Sequence, residues 1–377
     1  MDLILNLLAI FGACLWLTIL FLPWRPWSTR EHLDATDVDE LSYDLGDITV
    51  LIPARNEKDT IKKNLIGLKC QGNGLKIILI DDQSVDNTAD IAATLGYKEL
   101  TIISGKALPP GWSGKLWALE QGLHLVKTPL ILLIDADIEL RPGILAALRN
   151  VLHQNSLQLA SLMASLRMES PWEKLLMPAF IYFFKLLFPF RLCNSISSKI
   201  AAAAGGCILI ETNALKKIGG FRSLRGELID DCALAARIKK EGLKIWIGLS
   251  HSVVSLRAYD HLSAIWNMVA RTAFTQLNYS SLQLVFYTLI LVIAFWIPGI
   301  GLLYSPHTAK YFSFLALSAM ILTYIPILRF YSIPGWWALS MPITGTLYLA
   351  MLWTSAIRYF NGKRSEWKGR IYGAKRS

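Results

Sequence analysis

Residues 130–140, "LILLIDADIEL", carry an apolar run that ends in two carboxylates one residue apart. The five apolar residues before Asp135 are typical of a short buried strand. Because two neighbouring carboxylates repel each other and resist burial, the pair Asp135 and Asp137 indicates a positive partner. Mg²⁺ or Mn²⁺ commonly takes one or two carboxylates and completes its shell with substrate phosphate and water. The sequence therefore predicts that these residues hold a divalent metal, which in turn holds a diphosphate.

Three further groups of acidic and polar residues lie where predicted strands end or a predicted helix begins. Their members are Pro53, Ala54, Arg55 and Glu57; Asp81, Asp82, Ser84 and Asp86; and Glu227, Asp230 and Asp231. Each group alone is also explained by a helix cap, a turn or a favourable charge at a helix N-terminus. Four such groups on one domain favour a common functional site.

The segments between these groups alternate in character over residues 46–275. Strand-like pieces are "DITVLIPA", "GLKIILIDD", "LTIIS", "PLILLIDAD", "LQLASLMAS" and "AAGGCILIE", and helical spacing occurs at 56–70, 86–95, 115–126 and 142–153. This alternation predicts an α/β domain with a mostly parallel sheet, in which ligands bind beyond the carboxyl ends of the strands. The sequence has no G-x-G-x-x-G after its first strand and no P-loop motif, which disfavours dinucleotide chemistry and P-loop phosphoryl transfer.

The composition lies between those of soluble and membrane proteins. The chain has 377 residues, of which 53% are hydrophobic and 18% charged, with a mean hydropathy of +0.40. A soluble domain with added membrane segments is consistent with these values. The five cysteines are scattered without C-x-x-C spacing, which favours free thiols in a reducing compartment over disulfides or a zinc site.

Uncharged apolar segments flank the predicted domain. Residues 3–23 are long enough to span a bilayer, and Arg25 and Arg30 follow them, which favours an uncleaved anchor over a signal peptide. The expected organisation is an anchor at 1–24, a linker at 25–45, the α/β domain at 46–275, membrane segments at 280–357 and a basic tail at 358–377. With residue 25 onward in the cytoplasm, the domain lies on the cytoplasmic side, as for a bacterial-type plasma-membrane protein.

Two features of the membrane segments leave alternatives open. The later candidate spans are 282–304, 311–329 and 334–357. Three crossings after the anchor would place the basic tail outside, against the positive-inside tendency, so either one segment re-enters or the tail is an exception. Residues 171–192 combine aromatic bulk with basic residues, which predicts a helix lying in the membrane interface; a core helix of the domain is the alternative.

The basic tail favours a membrane surface as a partner. It carries a net charge of +6 out of +10 for the chain and directly follows an apolar segment. Basic residues near anionic headgroups contribute about 1 kcal/mol each. We therefore expect lipid headgroups, and no nucleic acid, as its partner.

Six motifs make the chain resemble a known enzyme family. "VLIPARNE", "LIDDQSVDNT", "GWSGKLWAL", "LIDADIEL", "GGCILI" and "IDDCALAARI" occur in the order and spacing of the family 2 glycosyltransferases, over residues 46–275. More narrowly, the chain resembles the membrane-anchored, hopanoid-associated branch related to ceramide glucosyltransferases. The resemblance implies a GT-A type domain that binds a nucleotide sugar, together with N-terminal and C-terminal membrane helices.

The resemblance also implies a role for each matching residue. Pro53, Ala54, Arg55, Glu57, Asp82, Ser84, Lys115, Asp135 and Arg271 would bind the nucleotide sugar. Asp137, with Asp135, would bind the metal. Asp231 would be the catalytic base. Asp230 stands beside it where the family usually has Glu, so which of the two acids is the base is less clearly assigned. Lys115 and Arg271 could equally be a solvated lysine and a headgroup-contacting arginine.

The resemblance implies a single transfer and no polymer synthesis. Polymer-forming members carry Q-x-x-R-W, whereas the matching place here is "MVART", which keeps only Arg271. The implied reaction is inverting transfer of one sugar, UDP-hexose being the expected donor, to a membrane lipid hydroxyl. The alternatives are a catalytically silent nucleotide-sugar-binding membrane protein or regulatory subunit, and a transporter. The late spans 282–304 and 334–357 hold no ionisable residue, which disfavours the transporter.

Overall fold

The computed structural model describes residues 2–35, 43–304, 307–362, 366–367 and 370–371. Residues 36–42 of the predicted linker and most of the predicted basic tail lie outside the described residues. The strands are β1 (Ile48–Ala54), β2 (Lys76–Asp81), β3 (Leu100–Ser104), β4 (Leu130–Ile134), β5 (Ile138–Leu140), β6 (Leu159–Ser165), β7 (Cys207–Glu211), β8 (Ile245–Ser255), β9 (Glu366–Trp367) and β10 (Arg370–Ile371).

The α-helices fall into two groups. Those between the strands are α2 (Ile61–Lys69), α3 (Thr88–Ala93), α4 (Gly114–Leu123), α5 (Ile144–Gln154), α6 (Pro171–Leu187), α7 (Phe190–Cys193), α8 (Thr212–Lys217) and α9 (Asp230–Lys240). Those at either end of the chain are α1 (Asp2–Phe21), α10 (Leu262–Ala270), α11 (Ser281–Phe295), α12 (Ile297–Tyr304), α13 (His307–Phe330) and α14 (Met341–Phe360).

The main sheet has eight strands in the order β3-β2-β1-β4-β7-β6-β8-β5. Strands β3, β2, β1 and β4 are parallel, β7 is antiparallel to β4 and β6, β8 is parallel to β6, and β5 is antiparallel to β8. The predicted α/β fold with a mostly parallel sheet is confirmed. The pattern missed β5 and the long strand β8, whose sequence "IWIGLSHSVVS" is interrupted by glycine, histidine and serines.

Strands β1 and β4 are buried along their whole length because helices cover both faces of the sheet. Alternate residues of β1 enter different cores: Val50 and Ile52 pack with α2 and α5, whereas Leu51 packs with α4 and α9. Successive side chains of a strand point to opposite faces, so both faces of the central strands are part of a hydrophobic core. The charged side chains next to β1 and β4 therefore lie beyond the ends of these strands.

Three helices among the described residues are long and apolar enough to cross a membrane: Leu3–Phe21, Ser281–Leu303 and His307–Phe330. They coincide with the first three predicted spans. The fourth predicted segment, 334–357, begins with the 3-10 helix Gly335–Ser340 and is not among these three, although α14 exposes several large apolar side chains. The number of crossings stays a prediction.

The terminal helices form one bundle. Helix α1 packs along α13, and the Trp16 indole donates a hydrogen bond of 2.9 Å to the Ala294 carbonyl of α11. Helix α6 contacts α10, α13 and α14, with Leu176, Met177 and Tyr182 fully buried. It therefore packs against the bundle along one side, while the predicted position of 171–192 in the membrane interface stays a prediction.

His251 ties the sheet to this bundle. Its Nδ1 lies 2.8 Å from Asp34 Oδ2, and its Nε2 lies 2.7 Å from the Phe330 carbonyl at the end of α13. Because an oxygen faces each ring nitrogen, these contacts favour the charged imidazolium, in which both nitrogens donate. Burial opposes that charge, but Asp34 and the Phe330 carbonyl outweigh it and raise the pKa of His251.

Candidate active site

The D-x-D segment forms the tight connection between β4 and β5. The amide of Ile138 donates to the Asp135 carbonyl at 3.1 Å. The buried Asn64 of α2 donates its side-chain amide to the same carbonyl at 3.1 Å and to that of Ile138 at 2.6 Å. Three hydrogen bonds therefore hold the backbone that carries Asp135 and Asp137 at the carboxyl end of β4.

Lys115, near the start of α4, joins this segment to the acidic pair at the start of α9. Its Nζ lies 2.7 Å from Asp135 Oδ1 and 3.9 Å from Asp230 Oδ2, with 22% of the side chain exposed. Burial disfavours the ammonium, but Asp135 and Asp230 outweigh it, and the pKa of Lys115 is raised. The two groups of acids, almost a hundred residues apart in sequence, therefore lie close to one shared ammonium.

Asp231 is fixed by two backbone amides. Its Oδ2 accepts from the Gly205 amide and its Oδ1 from its neighbour Cys232, both at 2.7 Å. A Cβ at Gly205 would lie 3.0 Å from Asp231 Oδ2 and 3.2 Å from Lys115 Nζ, so glycine permits this close approach. Burial, followed by the charge of Asp230, raises the pKa of Asp231 to about 6, while Lys115 opposes the shift.

A small cavity lies beside this acidic pair. Lys115, Asp230 and Asp231 line it together with apolar residues that include Leu133 and Phe221. The apolar side accounts for the desolvation that raises the pKa of Asp231.

Arg257, which follows β8, is the site residue that the sequence pattern missed. Its Nε lies 2.8 Å from Asp137 Oδ2, and its Nη2 lies 3.3 Å from Glu57 Oε1. Burial raises the pKa of Asp137; Arg257 opposes this effect, and the charges of Asp135 and Glu57 add to it. A basic residue in "SLRAYD" directly after a strand would have been the signal, but β8 itself was not predicted.

The loops after β1 and β2 are joined by hydrogen bonds. Arg55 Nη1 donates to the carbonyls of Asp82, at 2.5 Å, and Gln83, at 3.1 Å. Further bonds run from the amides of Asn56, Glu57 and Lys58 to Ser84 Oγ, Thr88 Oγ1 and Asp86 Oδ2, at 3.0, 2.8 and 3.1 Å. The predicted nucleotide-binding residues Arg55, Glu57, Asp82 and Ser84 therefore lie together, with Pro53 and Ala54 at the end of β1.

Arg271 lies apart from the carboxylates, as an exposed residue at the end of α10. Its positive charge acts on Tyr259, which also interacts with Arg257. Burial raises the pKa of Tyr259, and the positive charges of Arg257 and Arg271 oppose that shift.

Glu173 positions the segment that carries Arg257 and Tyr259. Its fully buried carboxylate accepts from the amides of Glu169, Ser170 and Tyr259 at 3.0, 2.9 and 2.8 Å. Burial disfavours the carboxylate, but these hydrogen bonds outweigh it and lower the pKa of Glu173. Its stabilising contribution is therefore complete above the unfolded-state pKa and is lost as the pH falls through the lower folded-state pKa.

We expect Glu173→Ala to lower the free energy of unfolding by about 2 kcal/mol, because buried amides lose a charged acceptor. Urea unfolding of the full chain in detergent measures it. Glu169→Ala is the matched control, since Glu169 is largely exposed and pairs only with a surface arginine in the described structure. Equal destabilisation by both substitutions would contradict the role of Glu173.

Comparison with known proteins identifies the family. Residues 46–275 match the family model described as Glycosyltransferase like family 2. The chain belongs to this family. The predicted family 2 glycosyltransferase is thereby confirmed at the level of the family, over the same residues that the motifs indicated.

Curated relatives match a shorter part of the chain. It is 32% identical over 114 residues to the 4,4'-diaponeurosporenoate glycosyltransferase of Staphylococcus haemolyticus, which is 29% of each chain. It is 32% identical over 111 residues to the Beta-monoglucosyldiacylglycerol synthase of Nostoc sp., which is 28% of this chain and 23% of the relative. The match therefore spans less than a third of the length of either relative.

A solved structure is similar over almost the whole chain. The mannosyltransferase PcManGT from Pyrobaculum calidifontis, in complex with GDP-Man and Mn²⁺, superposes with a TM-score of 0.56 and 17% identity, covering 94% of this chain and 99% of that one. At this identity the likeness shows a shared fold. Coverage of 94% of the chain extends the likeness beyond residues 46–275.

Proposed function

We propose that this family 2 chain is a membrane-bound inverting glycosyltransferase that moves one sugar from a nucleotide diphosphate sugar to a lipid hydroxyl. The observation that carries the proposal is the bridge of Lys115 between Asp135 and Asp230. It supports a single hollow in which a donor on the D-x-D segment and a base at the start of α9 act on the same anomeric carbon.

The donor set suits a hard divalent cation. Asp135 and Asp137 offer carboxylate oxygens, and the described residues contain no group of three or more acidic, histidine or cysteine side chains able to hold a metal by themselves. Mg²⁺ bound through one or two carboxylates with substrate phosphate has this character, and Mn²⁺ suits similar ligands. The PcManGT complex with Mn²⁺ supports the same reading. Such an ion supplies Lewis-acid stabilisation of the departing diphosphate.

Asp231 is suited to act as the base. Its two amide partners hold the carboxylate in place, and the apolar cavity beside it favours proton uptake. A base with a pKa near the working pH combines ionisation with an adequate affinity for the proton of the acceptor hydroxyl. Lys115 and Arg257 supply positive charge for the leaving diphosphate. One displacement inverts the anomeric centre.

The acceptor and the donor are proposed as classes of molecule, a lipid and a nucleotide sugar. Three candidate spanning helices and a relative named as a glucosyldiacylglycerol synthase support a lipid acceptor at a bilayer. The catalytic domain would face the cytoplasm, where nucleotide sugars are made, with α6 and the basic tail against the leaflet. UDP-hexose as donor, and a hopanoid acceptor of the ceramide glucosyltransferase-related branch, stay predictions.

Membranes containing the full chain, incubated with a panel of labelled nucleotide sugars, test the proposal. We expect one labelled sugar to enter a lipid in a reaction that requires Mg²⁺ or Mn²⁺, with the product identified by mass. Tight, metal-dependent nucleotide binding without any labelled lipid would instead favour the silent nucleotide-sugar-binding protein.

The rate of transfer should fall as the pH drops through about 6, the raised pKa of Asp231. The sign follows because a base accepts a proton only when it is ionised, and protonation begins above the ordinary range of an aspartate. Initial rates between pH 4.5 and 8.5, at saturating donor and metal, measure this fall in rate on the acidic side of the profile. A rate that stays constant down to pH 4.5 would contradict Asp231 as the base.

A further inference from the structure

Arg257 lies between two carboxylates that come from different strand ends. Asp137, with 14% of its side chain exposed, follows β4, and Glu57 follows β1. The backbone around Arg257 is held on both sides: the Leu256 amide donates to the Asp137 carbonyl at 2.7 Å, and Tyr259 is held by Glu173 at 2.8 Å. These backbone hydrogen bonds therefore hold the guanidinium beside Asp137, the proposed metal ligand.

A guanidinium and a divalent cation compete for the negative charge of the Asp137 carboxylate. Arg257 Nε is 2.8 Å from Oδ2, so a divalent ion held by Asp137 would lie beside the same carboxylate as the guanidinium. Two cations this close repel each other, and the partly buried site screens that repulsion less than water does. Metal binding at Asp137 is therefore weakened while Arg257 stays in place.

A diphosphate offers the withdrawn side chain a better partner. Arginine binds phosphate oxygens through two parallel hydrogen bonds, which match its planar fork. Arg257 is 35% exposed, so its end can reach towards the space between the ends of β1 and β4 where the donor would lie. A bound diphosphate would thus attract Arg257 and leave Asp137 to the metal.

We propose that Arg257 is a positioning residue that couples the two ligands: it neutralises Asp137 until a nucleotide diphosphate draws it away, so that the metal binds well only together with the nucleotide. This inference rests on the proposed function. It adds that the order of binding is built into the protein through one arginine shared by Glu57 and Asp137.

Binding of Mn²⁺, measured by electron paramagnetic resonance of the free ion with the purified full chain in detergent, tests the proposal. Without nucleotide, we expect Arg257→Gln to bind Mn²⁺ about 10-fold more tightly than the wild type, and the gain in Mn²⁺ affinity on adding UDP, or separately GDP, to shrink. Arg257→Lys should give intermediate values, since an ammonium keeps the charge but lacks the fork that spans both carboxylates.

Arg271→Gln is the matched control, because it removes one positive charge near Tyr259 without breaking an ion pair of Asp137 in the described structure. Its nucleotide-free Mn²⁺ affinity should stay within about 2-fold of the wild type. Thermal unfolding of each variant shows that it is folded.

The outcomes separate the two proposals. Unchanged or weaker Mn²⁺ binding by both Arg257 variants, with a wild type that binds Mn²⁺ and UDP, overturns the role of Arg257 alone. An equal gain in Arg271→Gln also overturns it, because general electrostatics would then suffice. Failure of every protein to bind Mn²⁺, with or without UDP and GDP, overturns the metal-dependent transferase as well.

Discussion

Asp231→Asn should reduce sugar transfer by about 1,000-fold, the scale of a lost general base, while nucleotide binding persists. The asparagine has nearly the same shape, and its oxygen can still accept one of the two backbone amides that hold Asp231. Its amide, however, accepts no proton in the accessible pH range. Initial rates with a labelled donor measure the loss, and titration with UDP measures the binding.

Asp230→Asn is the control that decides which acid is the base. Asp230 lies 3.9 Å from Lys115 and precedes Asp231 at the start of α9. We expect this variant to lose at most about 10-fold in rate, which corresponds to about 1.4 kcal/mol in the activation free energy. The reverse result, with Asp230→Asn inactive and Asp231→Asn active, would assign the base to Asp230.

Lys115→Met should lower the free energy of unfolding by about 3 kcal/mol, because it leaves the partly buried carboxylates of Asp135 and Asp230 without their shared cation. We take the lower end of the usual cost since Asp135 keeps 35% of its side chain exposed. The acidic limb of the rate profile should also move to higher pH, because Lys115 opposes the raised pKa of Asp231. Urea unfolding and the pH profile measure the two effects.

Lys69→Met provides the control for this substitution. Lys69 pairs with Glu99 at 3.4 Å, but their side chains are 51% and 39% exposed. Surface pairs of this kind contribute about 0–1 kcal/mol, so this variant should unfold close to the wild type. If Lys115→Met unfolds at the same urea concentration as Lys69→Met, the bridge between the acidic groups contributes no stability.

Local sequence patterns were enough to predict the parallel half of the sheet and the acidic residues at its edge. Strands β1 to β4 are short apolar runs bounded by turn residues, so their positions follow from local pattern. Since parallel strands end at a common edge, Asp82 after β2 and Asp135 after β4 could be assigned to one side of the domain. The long apolar segments at either end of the chain could be predicted in the same way, because length and apolarity are local properties of the sequence.

The pairing of the charges in the site could not be predicted and is seen first in the folded chain. Lys115 joins Asp135 to Asp230, Arg257 joins Glu57 to Asp137, and Gly205 approaches Asp231; each partner comes from a distant part of the chain. Their meeting depends on β7 and β8 turning back antiparallel beside β4 and β5, and no local periodicity encodes which strands become neighbours. The types of the residues proposed for the chemistry can be recognised from short sequence motifs. Their partners, and hence their pKa values, are set by the packing of the whole sheet.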